Sequence, residues 1–384
     1  MPWKRTDPME ERLRFVMEVE SDVFEMNELC QRYGVSRKTG YKWLQRYCQE
    51  GVAGLQDRSR APLHCPHRTP EAIADVLIEG RRRHPHWGAE KVVDWLRLRQ
   101  PEVKWPAAST AQEILKQAGL IKPKRRRRRS GSSSSPLQFG EVAPHEVLTA
   151  DFKGEFRTRD RRYCYPLTIA DHASRYLLAC RAFYSTAGGP VQQVFREVFR
   201  EFGLPRAILT DNGTPFATTG VARLSRLAVW WIRLGIQPLR IQPGHPEQNP
   251  RHERMHRTLK DETARPPGRN RQSQQRLFDR FREEYNQERP HKGLQARRPA
   301  DVYRPSPRPY PRRLPPMEYP GHLEIRRVSP NGCISFKRKV LFLSQALTGQ
   351  KVGLEEIEDG IWSFHFGPIL LGRYDERQLC LYRT

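Results

Sequence analysis

Ile208-Leu209-Thr210-Asp211-Asn212-Gly213 decides the reading of this chain. Three apolar or β-prone residues run straight into an acid, an amide and a glycine, the pattern of a short buried strand that stops in a turn. Val147-Leu148-Thr149-Ala150-Asp151-Phe152 upstream also carries apolar residues into an aspartate. Downstream, Asn249-Pro250 opens a basic helix, Arg251-His252-Glu253-Arg254-Met255-His256-Arg257-Thr258-Leu259-Lys260. Asparagine suits a helix N-cap and proline the first helical position, so Glu253 falls in the first turns. Glu253, Arg257 and Lys260 then share one face.

The surroundings of these acids are strongly basic. The chain has 384 residues, a net charge of +25 and a pI of about 10.2. Such a charge suits a polyphosphate partner, bound with an affinity that falls steeply with salt. Mean hydropathy is -0.78, low enough for small cores under much polar surface. No run of 18 apolar residues occurs, so no membrane span is expected. Residues 1–5 lack a following apolar core, so no secretory leader is expected either. The seven cysteines are scattered without a Cys-x-x-Cys pair, which argues against a zinc module or a disulfide framework and for a reducing cytoplasm. His64, Cys65 and His67 have no matching second pair and are not read as a metal site. No Gly-x-x-x-x-Gly-Lys loop is present, so ATP is not expected as a cofactor.

Length allows about two to four domains. At the N-terminus (10–60), Leu13, Val16 and Met17 have helical spacing, a helix is expected over 26–33, Gly34 ends it, and Ser36 caps a second helix reaching to about Tyr47. Leu29, Val35, Leu44 and Tyr47 are the expected core, with Gly40 a local defect. Arg37, Lys38, Tyr41 and Lys42 face outward, which makes this a helix-turn-helix with a major-groove recognition helix. A linker is expected over 54–70. A second helical DNA-binding unit (68–122) has helices at 70–83, 88–98 and 109–118, the last capped by Ser109. Residues 123–144 are a basic and Ser-rich tether, with near-unbroken positive charge at 122–129.

The central domain (145–303) has expected strands at 146–152, 163–170, 176–183, 207–210 and 237–241. Helices are expected at 190–202, 219–234, around Glu253, and at 273–287. Strands first, then alternating helix and strand, indicate a mixed α/β sheet with helices packed on it. Residues 304–320 are a proline-rich linker. The last segment (321–384) alternates in short strands from residue 323 to 374, with Asn331-Gly332 and Asp359-Gly360 as hairpin turns, and is read as a small all-β barrel.

Phosphodiester transfer needs an activated nucleophile and a stabilised leaving oxygen, which two divalent ions about 4 Å apart can supply. Mg²⁺ takes oxygen ligands and one or two carboxylates per ion. Three carboxylates suffice when one bridges, so Asp151 is assigned as the bridging ligand, with Asp211 and Glu253 each completing a site for Mg²⁺ or Mn²⁺. A lone aspartate at a strand end is usually a cap; here two occur with a helix-borne glutamate in a basic chain. Asp171 is read as structural. His245, His252 and His256 are read as DNA-facing or helix-surface residues, and Asn212 and Gly213 as shaping the turn that aims Asp211.

Residues 148–156, Thr210-Asp211-Asn212-Gly213 and residues 243–260 resemble bacterial insertion-sequence transposases with a retroviral-integrase-like core. In that family Pro-Gly-His-Pro precedes Asn-Gly, two residues, Glu-Arg, and then Arg-Thr-Leu-Lys. The glutamate after the Asn-Gly is the catalytic one, which corresponds to Glu253 here. Glu247 has 35 residues between it and Asp211, the interval many integrase cores show, but it precedes the helix, and the extra residues of this chain are assigned to a lengthened helix near 216–234. Pro250 stands where the family usually has glycine. The resemblance spans nearly the whole chain. It implies an RNase H-like fold, a metal-dependent DDE site of Asp151, Asp211 and Glu253, end binding by the N-terminal helices, 3′-end cleavage and strand transfer, and a homo-oligomer that pairs two DNA ends, in the bacterial cytoplasm at the nucleoid. A catalytically decayed DNA-binding copy and a structure-selective nuclease on the same core are the rival readings.

Overall fold

The computed structural model describes residues 7–58, 68–121, 142–218, 220–242 and 249–383. The histidines and cysteine at 64–67, the tether near 122–136, His245 and Glu247 lie outside the described residues. By contacts the chain divides into two units, Met1–Arg68 and Thr69–Thr384.

The first unit holds α1 (Pro8–Glu20), α2 (Met26–Arg32) and α3 (Arg37–Glu50). Asp7 caps α1 by accepting from the Met9 amide at 3.0 Å, and Ser36 caps α3 by accepting from Thr39 at 3.3 Å. Their core is Phe15, Val16, Leu29, Cys30, Trp43 and Leu55, with Val35, Leu44 and Tyr47 packed on its rim. Three expectations change. Met17 is half exposed, because Phe15 and Val16 take the inward face. Gly40 is no defect: a Cβ there would sit 2.8 Å from Cys30 Sγ and 3.0 Å from Phe15, so the glycine lets α3 approach its neighbours. The segment 54–58 belongs to this unit rather than to a linker, since Leu55 is fully buried.

The second unit opens with α4 (Glu71–Arg83), α5 (Ala89–Arg99) and α6 (Ala108–Gln117), packed around Leu77, Trp87, Val92 and Leu115. Ser109 does not cap α6; the N-cap is Ala107, without a side-chain bond. This trio is fastened to the domain that follows. His84 Nδ1 meets Glu284 at 2.8 Å, and Lys91 Nζ donates to the Pro290 carbonyl at 3.0 Å.

The central sheet consists of β1 (Val147–Phe152), β2 (Phe156–Arg157), β3 (Tyr163–Asp171), β4 (Leu177–Phe183), β5 (Ala207–Thr210) and β6 (Gln237–Arg240). β3 pairs antiparallel with β1, with β4 and with the short β2; β1, β5 and β6 run parallel. Strand alternation sorts the two faces. Leu148, Ala150, Leu167, Ile169 and Ile208 point to the side covered by α7 (Gly188–Phe202) and α8 (Arg226–Arg233). Cys164, Ala170, Leu177 and Cys180 point to the side covered by α9 (Pro250–Thr263) and α10 (Arg271–Gln287). A short α11 (Pro299–Val302) follows.

The expected helix over 219–234 is shorter. It starts only at Arg226, where the Ser225 side chain accepts from the Ala228 amide at 3.1 Å. Before it, Ala217 bridges to Leu224, and Val221 and Leu224 are buried against the C-terminal strands. Those strands are β7 (Glu324–Arg327), β8 (Cys333–Phe336), β9 (Lys339–Phe342), β10 (Lys351–Glu358), β11 (Ile361–Phe366), β12 (Ile369–Asp375) and β13 (Cys380–Arg383). They form a five-stranded antiparallel sheet in the order β13-β12-β11-β10-β7 and a β8–β9 hairpin, enclosing one core. The last strand was not anticipated. Asn331-Gly332 is not a hairpin turn, because β7 pairs with β10 and β8 with β9. The turn between β8 and β9 is Lys337-Arg338, both at positive φ (48° and 62°), the conformation of a type I′ hairpin.

Candidate active site

The parallel register does the first part of the placement. Ala150 lies beside Thr210, so the next residues, Asp151 and Asp211, leave adjacent strand ends side by side. Neighbouring strands are about 4.8 Å apart, which brings the two carboxylates within reach of shared cations. The Asp211 turn is fixed on both sides. Its carboxylate accepts from the Gly213 amide at 3.1 Å, and Asn212 donates to the Ile241 carbonyl at 2.7 Å, tying the turn to the end of β6. A Cβ on Gly213 would come within 2.9 Å of Asp211 Oδ2, so glycine is what leaves the carboxylate room.

Glu253 comes from the first turn of α9. Pro250 occupies the first helical position as expected; Asn249 is the N-cap residue but makes no side-chain cap bond. Asp151, Asp211 and Glu253 line one cleft of about 530 Å³, together with Lys153, Asn249 and His256. Glu253 is exposed and pairs with Arg257 at 3.6 Å; Lys260 is exposed further along α9. Burial first, and the neighbouring Asp211 charge second, pushes the Asp151 carboxyl up to about 7. Burial also raises Asp211, against the Gly213 hydrogen bond. At Asp151 burial and the Asp211 charge outweigh the Lys153 ammonium, so the site favours an added cation.

His252 and His256 are not surface residues. Both are buried, on the α9 stripe that also carries Met255, Leu259 and Thr263. The i, i+4 spacing stacks them over two strand threonines. His252 lies between Thr149 Oγ1 (2.9 Å to Nδ1) and Thr168 Oγ1 (2.7 Å to Nε2). His256 Nε2 shares the same Thr168 hydroxyl at 2.6 Å, and its Nδ1 faces Asp151 Oδ2 at 3.5 Å. Burial holds the His252 imidazole down to about 3 and His256 well below its ordinary value, so both are neutral. Asp151, His252 and His256 offer ligand atoms within 4.8 Å of one another. Sequence reading missed this cluster; its signal was a histidine pair at the same spacing as the apolar residues of an amphipathic helix. Asp171 is consumed locally, accepting from the amides of His145 and Ser174 at 2.8 Å each.

On α3, Arg37, Lys38, Tyr41 and Lys42 are all exposed. The Lys42 ammonium lies 4.4 Å from the Trp43 ring centre, a cation–π contact.

Comparisons with known proteins match these parts. Integrase core domain models match residues 141–246 and 234–299. A helix-turn-helix domain model matches residues 11–62, and a homeodomain-like domain model matches residues 39–115. An insertion element IS476 uncharacterized 39.2 kDa protein of Xanthomonas euvesicatoria is 27% identical over 252 residues, covering 64% of this chain and 68% of that protein. Together these matches support a bacterial insertion-sequence transposase with an integrase-like core. Solved structures similar to parts of this transposase include two retroviral proteins. The HTLV-2 integrase catalytic core domain in complex with magnesium has a TM-score of 0.33 at 12% identity, over 42% of this chain and 98% of that one. The simian T-cell lymphotropic virus intasome in complex with a PP2A regulatory subunit has a TM-score of 0.38 at 12% identity, over 80% and 98%. The transposase thus joins helix-turn-helix DNA-binding domains, an integrase core with a mixed sheet, and a C-terminal antiparallel sheet. Among the described residues no helix is long and apolar enough to cross a membrane.

Proposed function

We propose that this transposase binds the terminal inverted repeats of its own element, hydrolyses a phosphodiester to free a 3′-hydroxyl, and joins that hydroxyl to target DNA. The observation that carries the reading is the register that sets Asp151 beside Asp211 in the cleft Glu253 lines. The acids fit two Mg²⁺ or Mn²⁺ ions, because burial and the Asp211 charge outweigh the nearby Lys153 ammonium and keep the Asp151 carboxyl raised. When bound, the ions supply Lewis acidity toward the phosphate and toward the attacking water or hydroxyl. Asp151 would serve both ions, with Asp211 and Glu253 each completing the hold on one. Arg257 and Lys260, on the exposed face of α9, take phosphates on either side of the scissile one. Arg37, Lys38, Tyr41 and Lys42 give α3 the face for base and backbone contacts in the major groove. Pairing two ends calls for at least two copies of the chain. DNA substrate places the protein in the cytoplasm, at the nucleoid.

The decayed-copy reading rested on Pro250. Proline at the first helical position gives up only an N–H that no helix satisfies, and α9 runs regularly from Pro250 through Glu253. An active enzyme is therefore the favoured reading. The test is a strand-transfer assay on duplexes carrying the element's ends, with Mg²⁺ or Mn²⁺. Wild type and Glu247→Gln are expected to join ends to target, and Glu253→Gln to lose at least about a thousandfold. If wild type shifts the end duplex and never cuts it, the protein is a DNA-binding copy. If it cuts any branched DNA regardless of end sequence, it is a nuclease.

A further inference from the structure

The buried imidazoles on α9 have a role that the three acids leave open. Each threonine hydroxyl has one proton, and each neutral imidazole has one N–H. His252 is enclosed, with one nitrogen on Thr149 and the other on Thr168. If Thr149 donates to the Ala170 carbonyl, at 3.2 Å, His252 donates to Thr149 from Nδ1 and accepts the Thr168 proton at Nε2. His256 must then donate to Thr168 from Nε2. If instead Thr168 donates to the Asp151 carbonyl, at 3.1 Å, both imidazoles donate to Thr168 from Nε2. Either way the proton of His256 is on Nε2, and Nδ1 keeps its lone pair. The remaining arrangement puts a proton on Nδ1, where its neighbour Asp151 Oδ2, at 3.5 Å, is beyond ordinary hydrogen-bond distance.

A bare nitrogen and a carboxylate oxygen thus face each other at the floor of the cleft. A cation held at about 2.1 Å by both sets adjacent ligands roughly 3 Å apart. Small rotations of the two side chains close the remaining gap. His252 cannot serve in the same way, since both of its nitrogens are engaged by threonines; it props His256. Imidazole nitrogen suits borderline transition ions, whereas Mg²⁺ prefers oxygen.

We propose that His256 Nδ1 is a direct ligand of the divalent ion at Asp151, giving that position one nitrogen and a preference for Mn²⁺-class ions over Mg²⁺. This rests on the proposed three-acid metal site. The test uses the full chain loaded with Mn²⁺, read by pulsed EPR for a directly coordinated ¹⁴N, and by calorimetry for Mn²⁺ and Mg²⁺ affinity. Wild type is expected to show the nitrogen coupling. His256→Asn, which offers an amide in place of the ring nitrogen, is expected to lose the coupling and about tenfold more Mn²⁺ affinity than Mg²⁺ affinity. Asp151→Asn should abolish both the coupling and tight binding. Mn²⁺ bound in wild type through oxygen alone overturns the nitrogen ligand and leaves the three-acid site standing. Mn²⁺ that fails to bind, or binds unchanged in Asp151→Asn and Asp211→Asn, overturns the three-acid site and this inference together.

Discussion

Trp231 and Ile232 are neighbours in sequence and belong to different cores. Trp231 is fully buried under the central sheet, its ring 4.9 Å from that of Phe195. Ile232 packs with Val352, Phe364 and Phe366 of the C-terminal sheet. One turn earlier Leu227 follows the first pattern, and Ala228 and Val229 the second. α8 is therefore a wall shared by two domains, apolar around most of its circumference. Ile232→Asp puts a charge into the second core and leaves the first intact. The expected result is a loss of at least about 3 kcal/mol in the coupling of the C-terminal sheet. Calorimetry should show one melting transition become two; a single, merely shifted transition would mean the domains are not joined through α8.

Gly40 offers a decision between two opposed effects. In an exposed helix, Gly→Ala stabilises by about 1 kcal/mol. Here the new methyl would meet Cys30 Sγ at 2.8 Å and Phe15 at 3.0 Å, and overpacking a tight core costs about 1–3 kcal/mol. Packing should win, because Phe15 and Cys30 are themselves buried with little space to retreat. Gly40→Ala is expected to lower the chemical-denaturation midpoint of the N-terminal unit and weaken end binding with it. A raised midpoint would show that the α2–α3 contact is looser than it looks.

What could be read in the sequence was local. Asp151, Asp211 and the Pro250 helix start follow from apolar runs and end signals a few residues long. The mixed α/β class follows from the succession of elements; the strand order, with β1 between β3 and β5, does not. What escaped depended on partners far away in the chain. Ser109 has a capping side chain, but the N-cap falls two residues earlier, at Ala107. A helix over 219–234 looked plausible until Val221 and Leu224 were needed by strands a hundred residues on. His252 and His256 carry polar rings, so nothing local distinguishes a surface position from a burial that Thr149 and Thr168 make tolerable.

Acid should weaken the core for a reason that can be isolated. Burial, with the cations of Lys91, Arg289 and Arg175 adding to it, holds His291 down to about 2. Burial likewise lowers His145, whose ring bonds Tyr303 and the Gly203 carbonyl. The unfolded chain takes up these protons below about pH 6.5 while the folded chain refuses them. The unfolded state binds more protons, so stability is full above that pH and falls as pH drops, for His291 by about 1.4 kcal/mol per unit. His291→Gln removes one such group. Its loss of stability between pH 7.5 and 5.5, from urea unfolding, should be smaller than that of wild type by about 1 kcal/mol. Parallel pH profiles would mean that His291 titrates normally in the fold.

Thr168 is the single hydroxyl on which both α9 imidazoles converge, and β-sheet register sets it opposite Asp151. Thr168→Val keeps the shape and deletes the oxygen. His252 Nε2 and His256 Nε2 are then buried without that partner, at about 1–3 kcal/mol each, so the expected loss is about 2–6 kcal/mol. Thr168→Ser keeps the hydroxyl and should recover most of it, which separates lost hydrogen bonding from lost packing. The variant also frees the ring of His256 to turn. Mn²⁺ affinity should therefore fall in Thr168→Val and return in Thr168→Ser, although Thr168 touches no acid side chain. If Thr168→Val unfolds within about 1 kcal/mol of wild type, the imidazoles find other partners and the threonine does not hold them; if it is unstable but binds Mn²⁺ as before, the network supports α9 without aiming His256 at Asp151.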